Sequence, residues 1–225
     1  MEFKKLGKSD LTVSAYCLGT MTFGEATSET DSHLQIDQSL ASGINFIDTA
    51  EMYPTCPLRE ETTGDTEVII GNWIEKNKSK RADFVLATKI SGKGYKAVRN
   101  GEGIDEKSIK IAIEGSLKKL KTDYIDLYQL HWPNRGSYHF RQNWNYNPTN
   151  QDTEIAKDNI NGVLNSLSDL QKEGKIRHIG LSNETCWGTS QFLDQLKNVN
   201  TLIIASIQNE SSLLWRLYDL DMAEM

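Results

Sequence analysis

Four residues that could perform acid–base chemistry each follow a segment with the composition of a buried β-strand. Asp48 closes the run Asn-Phe-Ile, and Tyr53 lies in the loop that follows it. Lys89 closes the run Phe-Val-Leu-Ala-Thr, and His131 closes the run Tyr-Ile-Asp-Leu-Tyr-Gln-Leu. Since catalytic groups of parallel α/β folds are built where the strands end, we expect these four side chains to converge.

The combination of tyrosine, lysine, aspartate and histidine favours one kind of reaction. A lysine ammonium beside a phenol favours the phenolate and lowers the tyrosine pKa from about 10. A carboxylate can hold the lysine charged and in place, and a histidine can orient a carbonyl group or relay a proton. Such a tyrosine can protonate a developing alkoxide while a hydride arrives on carbon.

Each candidate also has a structural explanation. Asp48 could cap a helix or a turn, and His131 could be a core histidine whose neighbours are apolar. Lys89 could end its strand in solvent, although an unpaired lysine at the end of a buried run is costly. The association of all four with one sequence pattern favours the functional interpretation.

Strand-like and helix-like segments alternate along the chain, which predicts a parallel sheet. A hairpin is predicted over residues 3–6 and 11–13, and the predicted strands cover 15–18, 44–48, 84–89, 124–130, 176–181 and 202–207. The predicted helices cover 28–42, 66–77, 105–120, 159–173 and 189–197, with another beginning at Leu213. Long loops are predicted at 53–65 and 132–158. The pattern leaves a barrel and a doubly wound sheet open, but the first strand lacks the Gly-x-Gly-x-x-Gly that a Rossmann fold would place after it.

Composition narrows the class of protein. The 225 residues carry a net charge of −6, which argues against nonspecific binding of nucleic acid. No apolar run approaches the roughly 20 residues that span a bilayer, and the N-terminus lacks the apolar stretch of a signal peptide. The three cysteines, at positions 17, 56 and 186, are odd in number and widely spaced, so we expect a reduced, cytoplasmic protein without a zinc site.

Four spaced motifs resemble the signatures of the aldo-keto reductase superfamily. They are Gly-Thr-Met-Thr-Phe-Gly at 19–24, Asp-Thr-Ala-Glu-Met-Tyr at 48–53, Gln-Leu-His-Trp-Pro at 129–133 and Gly-Leu-Ser-Asn at 180–183. The Pro54 that follows Tyr53 and the Trp132-Pro133 pair make the chain most similar to the bacterial Tas-type members. The similarity extends from the first residues to about the last fifteen.

The resemblance implies a (β/α)8 TIM barrel whose N-terminal hairpin plugs one end. About six βα units are present where the barrel has eight, so residues 1–225 are expected to form a single domain that lacks the C-terminal part. The family's remaining portion would supply strands seven and eight and much of the grip on the cofactor phosphates. We therefore expect the 225-residue chain to bind NADPH weakly and to associate through its open sheet edges.

The resemblance also assigns roles to residues. Tyr53 would donate the proton, Lys89 would lower the Tyr53 pKa, Asp48 would hold Lys89, and His131 would orient the carbonyl. Trp132 would line the substrate pocket. Residues that would bind NADPH or NADP are Gly19, Thr20, Met21, Asp48, Ser182, Asn183 and Gln208. Ser182 and Asn183 could instead cap the next helix. The chain departs from the family at Glu210-Ser211, where Pro-Tyr is common.

The function implied is NADPH-dependent reduction of an aldehyde or ketone to an alcohol, without a metal. The partner would be a small carbonyl compound, with neither nucleic acid nor membrane involved. The alternatives are a non-catalytic binding module on the same fold and an inactive fragment of a longer reductase. The sequence leaves the substrate and the oligomeric state open.

Overall fold

Parallel strands joined by helices form the framework of the chain. The computed structural model describes residues 1–197, 199 and 202–225. The strands in this part of the chain are β1 (Phe3–Lys5), β2 (Thr12–Ser14), β3 (Leu18–Gly19), β4 (Phe46–Asp48), β5 (Val85–Ile90), β6 (Ile125–Leu130), β7 (Ile176–Ser182) and β8 (Ile204–Gln208). The α-helices there are α1 (Glu29–Ala41), α2 (Asp65–Lys76), α3 (Glu106–Leu120), α4 (Thr153–Lys172) and α5 (Cys186–Leu196).

The six strands from β3 to β8 form one sheet in sequence order, and every neighbouring pair is parallel. The sheet curls with its helices on the outside into a half-barrel, which is the arrangement of a partial (β/α)8 barrel. The predicted fold class is therefore confirmed. In the described residues β3 pairs only with β4 and β8 only with β7, so the sheet has two open edges.

The helices cover the outer face of the sheet because each presents an apolar stripe to it. In α3 the buried positions include Ile109, Ile113 and Leu117, which follow helical spacing. A capping box between Asp105 and Ser108 fixes the start of this helix, since each side chain accepts a hydrogen bond from the backbone N–H of the other. These apolar side chains join one large core with residues from α2, α4 and the outward face of the strands.

The hairpin of β1 and β2 packs on the inward face of the half-barrel. Leu11 and Val13 contact Val85 of β5, and Leu6 packs on the cluster formed by Ala87, Leu127 and Ala205. Gly7 has a φ of 56°, and a Cβ there would lie 2.5 Å from the Ala205 carbonyl oxygen. The chain can approach β8 this closely only because residue 7 has no side chain. The structure thus places the hairpin where the sequence analysis expected a plug.

Three element predictions are wrong. The strand expected at 15–18 is the two-residue β3, because Ala15, Tyr16 and Cys17 are exposed at the open edge of the sheet. The helix expected from residue 159 begins at Thr153 and shortens the preceding loop, because Asp152 accepts hydrogen bonds from two backbone N–H groups of the first turn.

The helix expected from Leu213 is also absent from the described residues, where only a 3₁₀ turn at Leu217–Asp219 forms. Leu213 and Leu214 are 93% and 97% exposed, so they have no apolar surface to pack on. A short helix without such packing is marginal in water.

Two further observations bear on the class of protein. Each helix in the described residues is too short or too polar to cross a lipid bilayer. The described residues also contain no group of three or more histidine, cysteine, aspartate or glutamate side chains placed to share a metal ion.

The open edges predict that the isolated 225-residue polypeptide associates with itself. Unpaired backbone groups along β8 offer a template for another strand. We expect size-exclusion chromatography to show apparent mass rising with protein concentration. Ile203, which is 37% exposed just before β8, provides the matched variant: Ile203→Lys should reduce the association. A monomer at every concentration would contradict this expectation.

Candidate active site

The structure brings Asp48, Lys89 and Tyr53 together at the carboxyl end of the sheet. The Lys89 ammonium donates to Asp48 Oδ2 at 2.6 Å and to the Thr49 carbonyl oxygen at 2.9 Å. It also donates to the Tyr53 hydroxyl at 3.4 Å. Lys89 is 1% exposed, so its charge is balanced by the carboxylate rather than by water. The ammonium therefore lies between one carboxylate and one phenol, as expected from the positions of Asp48 and Lys89 at the carboxyl ends of β4 and β5.

Two glutamines complete the shell around Asp48. Gln129 Nε2 donates to Asp48 Oδ1 at 2.9 Å, and Gln208 Nε2 donates to Asp48 Oδ2 at 3.3 Å. Gln129 was missed as a site residue in the sequence analysis. Its position two residues before His131 was the available signal, because side chains at i and i+2 of a strand point to the same face.

His131 lies beside Tyr53 and forms the next part of the site. The two rings are 5.7 Å apart between centroids and meet edge to face at 75°. Trp132 follows with its ring 4.9 Å from that of His131, and it also meets Phe140 edge to face at 5.9 Å. His131 Nδ1 is buried and has no hydrogen-bond partner among the described residues. The ring of Trp132, in contact with His131 and Phe140, forms one wall of the site.

Burial decides the protonation states of Tyr53 and His131. It raises the pKa of Tyr53 above 10, and the Lys89 ammonium opposes that shift without cancelling it. The expectation of a lowered tyrosine pKa is therefore wrong in its net direction, although Lys89 acts as expected. Burial, together with the nearby Lys89 charge, lowers the pKa of His131 well below 6.5. At neutral pH Tyr53 keeps its proton and His131 is uncharged.

The residues of the first Gly-Thr-Met segment occupy different places. Gly19 pairs with Asp48 across β3 and β4. Thr20 is buried, and its hydroxyl donates to the Asp48 carbonyl oxygen at 2.8 Å, so it holds the strand end. Met21 alone of the three is among the described residues that line the cavity beside Tyr53.

The second group of cofactor candidates lies at the ends of β7 and β8. The Ser182 hydroxyl donates to the Gln208 carbonyl oxygen at 2.9 Å, which joins the two strands. Asn183 Nδ2 donates to the His131 carbonyl oxygen at 2.9 Å, and Asn183 has a left-handed φ of 51°. The neighbouring Asn209 has a buried Oδ1 atom without a partner among the described residues.

One cavity joins these groups. It has a volume of about 710 Å³, and Tyr53, Lys89, His131, Trp132, Ser182, Asn183 and Gln208 all line it. The remaining wall is mainly apolar and aromatic, with Met21, Met52, Leu58, Tyr95 and Phe140. Glu210 also lines the cavity. The arrangement can bind a flat apolar molecule beside a protonated phenol and an uncharged imidazole.

The burial of His131 predicts a pH dependence of stability. An unfolded chain binds a proton at this imidazole near pH 6.5, whereas the folded chain resists it, since burial disfavours the charged form. This group should therefore lower the free energy of unfolding as the pH falls from 7 to 5, by at most about 1.36 kcal/mol per pH unit. Urea unfolding of the chain and of His131→Gln should show a weaker pH dependence in the variant. Parallel curves would contradict the assignment.

Gly92 predicts a local effect on the Trp132 wall. A Cβ at this position would lie 2.3 Å from the Trp132 carbonyl oxygen and 2.4 Å from its indole Cδ1. Gly92→Ala should therefore reduce the free energy of unfolding by about 1–3 kcal/mol, as overpacking does elsewhere. Gly115→Ala is the matched control. Gly115 lies in α3, and a Cβ at this position would meet nothing within 4 Å. Equal stability of the two variants would show that the wall can move freely.

Comparison with known proteins places the chain in a family. Residues 15–225 match the model of the aldo/keto reductase family. The chain is 42% identical to Protein tas of Escherichia coli over 228 residues, which cover the whole chain and 64% of that protein. It is 31% identical to the uncharacterized oxidoreductase YrpG of Bacillus subtilis, with 98% of the chain and 61% of the relative covered.

A third relative, norsolorinic acid reductase B of Aspergillus parasiticus, is 31% identical over 81% of the chain and 43% of its own length. The chain thus spans less than two thirds of the length of these relatives. The motifs that suggested the resemblance and the half-barrel that carries them agree with the match. The chain belongs to the aldo/keto reductase family.

Proposed function

We propose that the chain forms the catalytic part of an NADPH-dependent reductase that converts an aldehyde or ketone to an alcohol. The observation that carries the proposal is the position of the Lys89 ammonium, 2.6 Å from Asp48 and 3.4 Å from the Tyr53 hydroxyl. Lys89 and Tyr53 line a cavity that can admit a substrate. A binding role alone would not require a buried ammonium aimed at a phenol.

Residues around the cavity are suited to the nicotinamide end of NADPH. Asn183, Gln208 and Asn209 line the cavity. The Oδ1 of Asn209, which has no partner within the described part of the chain, is an acceptor of the kind that a carboxamide N–H requires. Met21 would pack against the ring, and Ser182 would keep the two strand ends in register. When bound there, NADPH supplies a hydride to the carbonyl carbon.

Tyr53 is proposed as the general acid. Its raised pKa keeps the proton on the phenol at neutral pH, so the acid is present when substrate binds. As negative charge develops on the substrate oxygen, Tyr53 donates its proton to that oxygen. The phenolate that remains faces the Lys89 ammonium, which stabilises it without reorganisation of solvent.

His131 is proposed to orient the substrate. It is uncharged at neutral pH, so one ring nitrogen carries a proton and can donate to the carbonyl oxygen. Its edge-to-face contact with Tyr53 places the imidazole beside the phenol. A carbonyl oxygen held between the two would have a proton donor on either side.

The cavity wall favours apolar carbonyl substrates with an aromatic ring. Trp132 and Phe140 meet edge to face, and Tyr95 is held in the wall by a 2.8 Å hydrogen bond between its hydroxyl and that of Thr63. Aromatic rings in such a wall prefer offset or edge-on contact with another ring. We therefore expect an aromatic aldehyde to be reduced faster than an aliphatic aldehyde of equal polarity.

The test measures binding and turnover separately. Fluorescence titration would report NADPH binding by the 225-residue chain and by a chimera that continues it with the remaining part of E. coli Protein tas. Oxidation of NADPH would then be followed with a panel of aldehydes and ketones. We expect the chimera to bind NADPH and to consume it only when a carbonyl compound is present. Binding without turnover would favour the non-catalytic alternative. The absence of both binding and turnover in the chimera would refute the proposal.

A further inference from the structure

We propose that Glu51 and Arg99 are positioning residues that fix the distance between Tyr53 and Lys89. The inference rests on the proposed function for its catalytic meaning, but its geometry is independent of turnover. Glu51 and Arg99 form an ion pair whose two side chains are each 8% exposed. They are 48 positions apart: Glu51 lies in the turn after β4, and Arg99 begins a short 3₁₀ turn (Arg99–Gly101) after β5.

The pair closes a ring of hydrogen bonds around the backbone of one residue, Ser91. The Ser91 N–H donates to Glu51 Oε1 at 2.5 Å, and Arg99 donates through Nη1 to Glu51 Oε2. Arg99 also donates through Nη2 to the Ser91 carbonyl oxygen at 2.8 Å. The carboxylate and the guanidinium thus hold the backbone of Ser91 from both its donor and its acceptor.

This ring joins the two segments that present the reacting groups. Glu51 is two residues before Tyr53, and Ser91 is two residues after Lys89. The Glu51 N–H also donates to the Lys89 carbonyl oxygen at 3.2 Å. A shift of Glu51 relative to Ser91 is therefore transmitted over two residues on each side to the phenol and the ammonium.

The contact that the ring would protect is close to its geometric limit. Lys89 reaches the Tyr53 hydroxyl at 3.4 Å, whereas its contacts with Asp48 and Thr49 are 2.6 and 2.9 Å. Because hydrogen bonds beyond about 3.5 Å count for little, a small displacement of Tyr53 would end its coupling to Lys89. The shorter contacts would survive the same displacement.

The segment that carries Arg99 has features that stability alone does not explain. Arg99 and Asn100 adopt left-handed φ values of 44° and 55°, which cost free energy for residues with a side chain. Arg99 Nε is buried without a partner among the described residues. Val98 nevertheless packs with Ala50 and Met52 in a cluster that Tyr53 joins. A buried ion pair is often replaceable by apolar residues, so a strained and incompletely bonded one points to a positioning role.

The pKa of Tyr53 reports its distance from Lys89 and requires neither cofactor nor turnover. The groups that act on this phenol are Lys89, Asp48 and Cys56, with the uncharged His131 ring at its edge. The Tyr53 pKa can be measured by NMR titration of the unliganded chain with its tyrosines labelled with ¹³C at Cζ. The signal that disappears in Tyr53→Phe belongs to Tyr53. The Lys89 charge lowers the Tyr53 pKa, so loss of this contact should raise that pKa. Loosening the ring of hydrogen bonds formed by Glu51, Arg99 and Ser91 should therefore raise the Tyr53 pKa.

Three variants test the ring. Glu51→Gln keeps the shape and removes the charge, Arg99→Met removes the donors, and Arg99→Lys keeps the charge with fewer donors. We expect the Tyr53 pKa to rise most in Arg99→Met and least in Arg99→Lys. In the active chimera kcat should fall on the order of 10²-fold in Arg99→Met, as misplacement of a reacting group by about 1 Å does elsewhere. The dissociation constant for NADPH should stay unchanged.

Arg81→Met provides the matched control. Arg81 is a buried arginine that bonds Asp126 at 2.8 Å and lies just before β5, at the other end of that strand from Arg99. Arg81→Met should reduce the free energy of unfolding without changing the Tyr53 pKa. If the three variants at Glu51 and Arg99 leave that pKa unchanged, or change it no more than Arg81→Met does, the ring is structural only. Absence of turnover in the unmodified chimera would instead count against the proposed function, and it would leave the NMR result on the 225-residue chain intact.

Discussion

Replacing Tyr53 with phenylalanine is expected to reduce kcat for carbonyl reduction by about 10²–10⁴-fold, the usual contribution of one general acid. The phenyl ring can keep the edge-to-face contact with His131, and only the hydroxyl that Lys89 reaches at 3.4 Å is lost. The dissociation constant for NADPH should therefore stay the same. Steady-state kinetics and fluorescence titration of the chimera would measure the two quantities.

Tyr128→Phe is the matched control for this substitution. Tyr128 lies on β6, is fully buried, and its hydroxyl has no hydrogen-bond partner among the described residues. Removing that hydroxyl should leave kcat unchanged. Equal kcat values for Tyr53→Phe and the unmodified protein would mean that another group protonates the product.

Replacing Lys89 with methionine is expected to be costly for both stability and catalysis. It would leave the Asp48 carboxylate buried without its cation, since Lys89 is 1% exposed and bonds Asp48 at 2.6 Å. Breaking a buried pair in this way typically reduces the free energy of unfolding by about 3–5 kcal/mol. The phenolate form of Tyr53 would lose its stabilising charge, so turnover should fall as well. Urea unfolding and steady-state kinetics would measure these effects.

A double-mutant cycle separates the pair from its surroundings. Asp48→Asn removes the carboxylate charge, so the variant with both substitutions should lose less stability than the sum of the single losses. Gln129 and Gln208 would still bond an amide at position 48 through their own amide groups. Additive losses would show that the ammonium and the carboxylate do not stabilise each other.

The sequence predicts the main elements and the four central residues for a clear physical reason. Apolar runs that end in a titratable residue mark strand ends, and parallel strands end at one edge. That logic predicts the convergence of Asp48, Lys89 and Tyr53, which the structure shows. It does not extend to their roles, which remain proposals.

The missed features have causes that a linear pattern does not contain. Gln129 is uncharged and lies within an apolar strand, so composition gives little sign of its bond to Asp48. The start of α4 is exposed and polar, and apolar spacing therefore detects only its later turns. The raised pKa of Tyr53 depends on how much of the phenol is buried, which is a property of the assembled site.

The position of the N-terminal hairpin has a consequence for how the chain folds. Gly7 rests against the carbonyl oxygen of Ala205, and Asp10 accepts a 2.6 Å hydrogen bond from His178. The hairpin therefore finds the second of these contacts only when a partner 168 positions later in the chain is available. Long-range contacts of this kind slow folding, because the entropy of closing a long loop is lost before the contact forms. Docking of the hairpin should accordingly be among the last steps of folding.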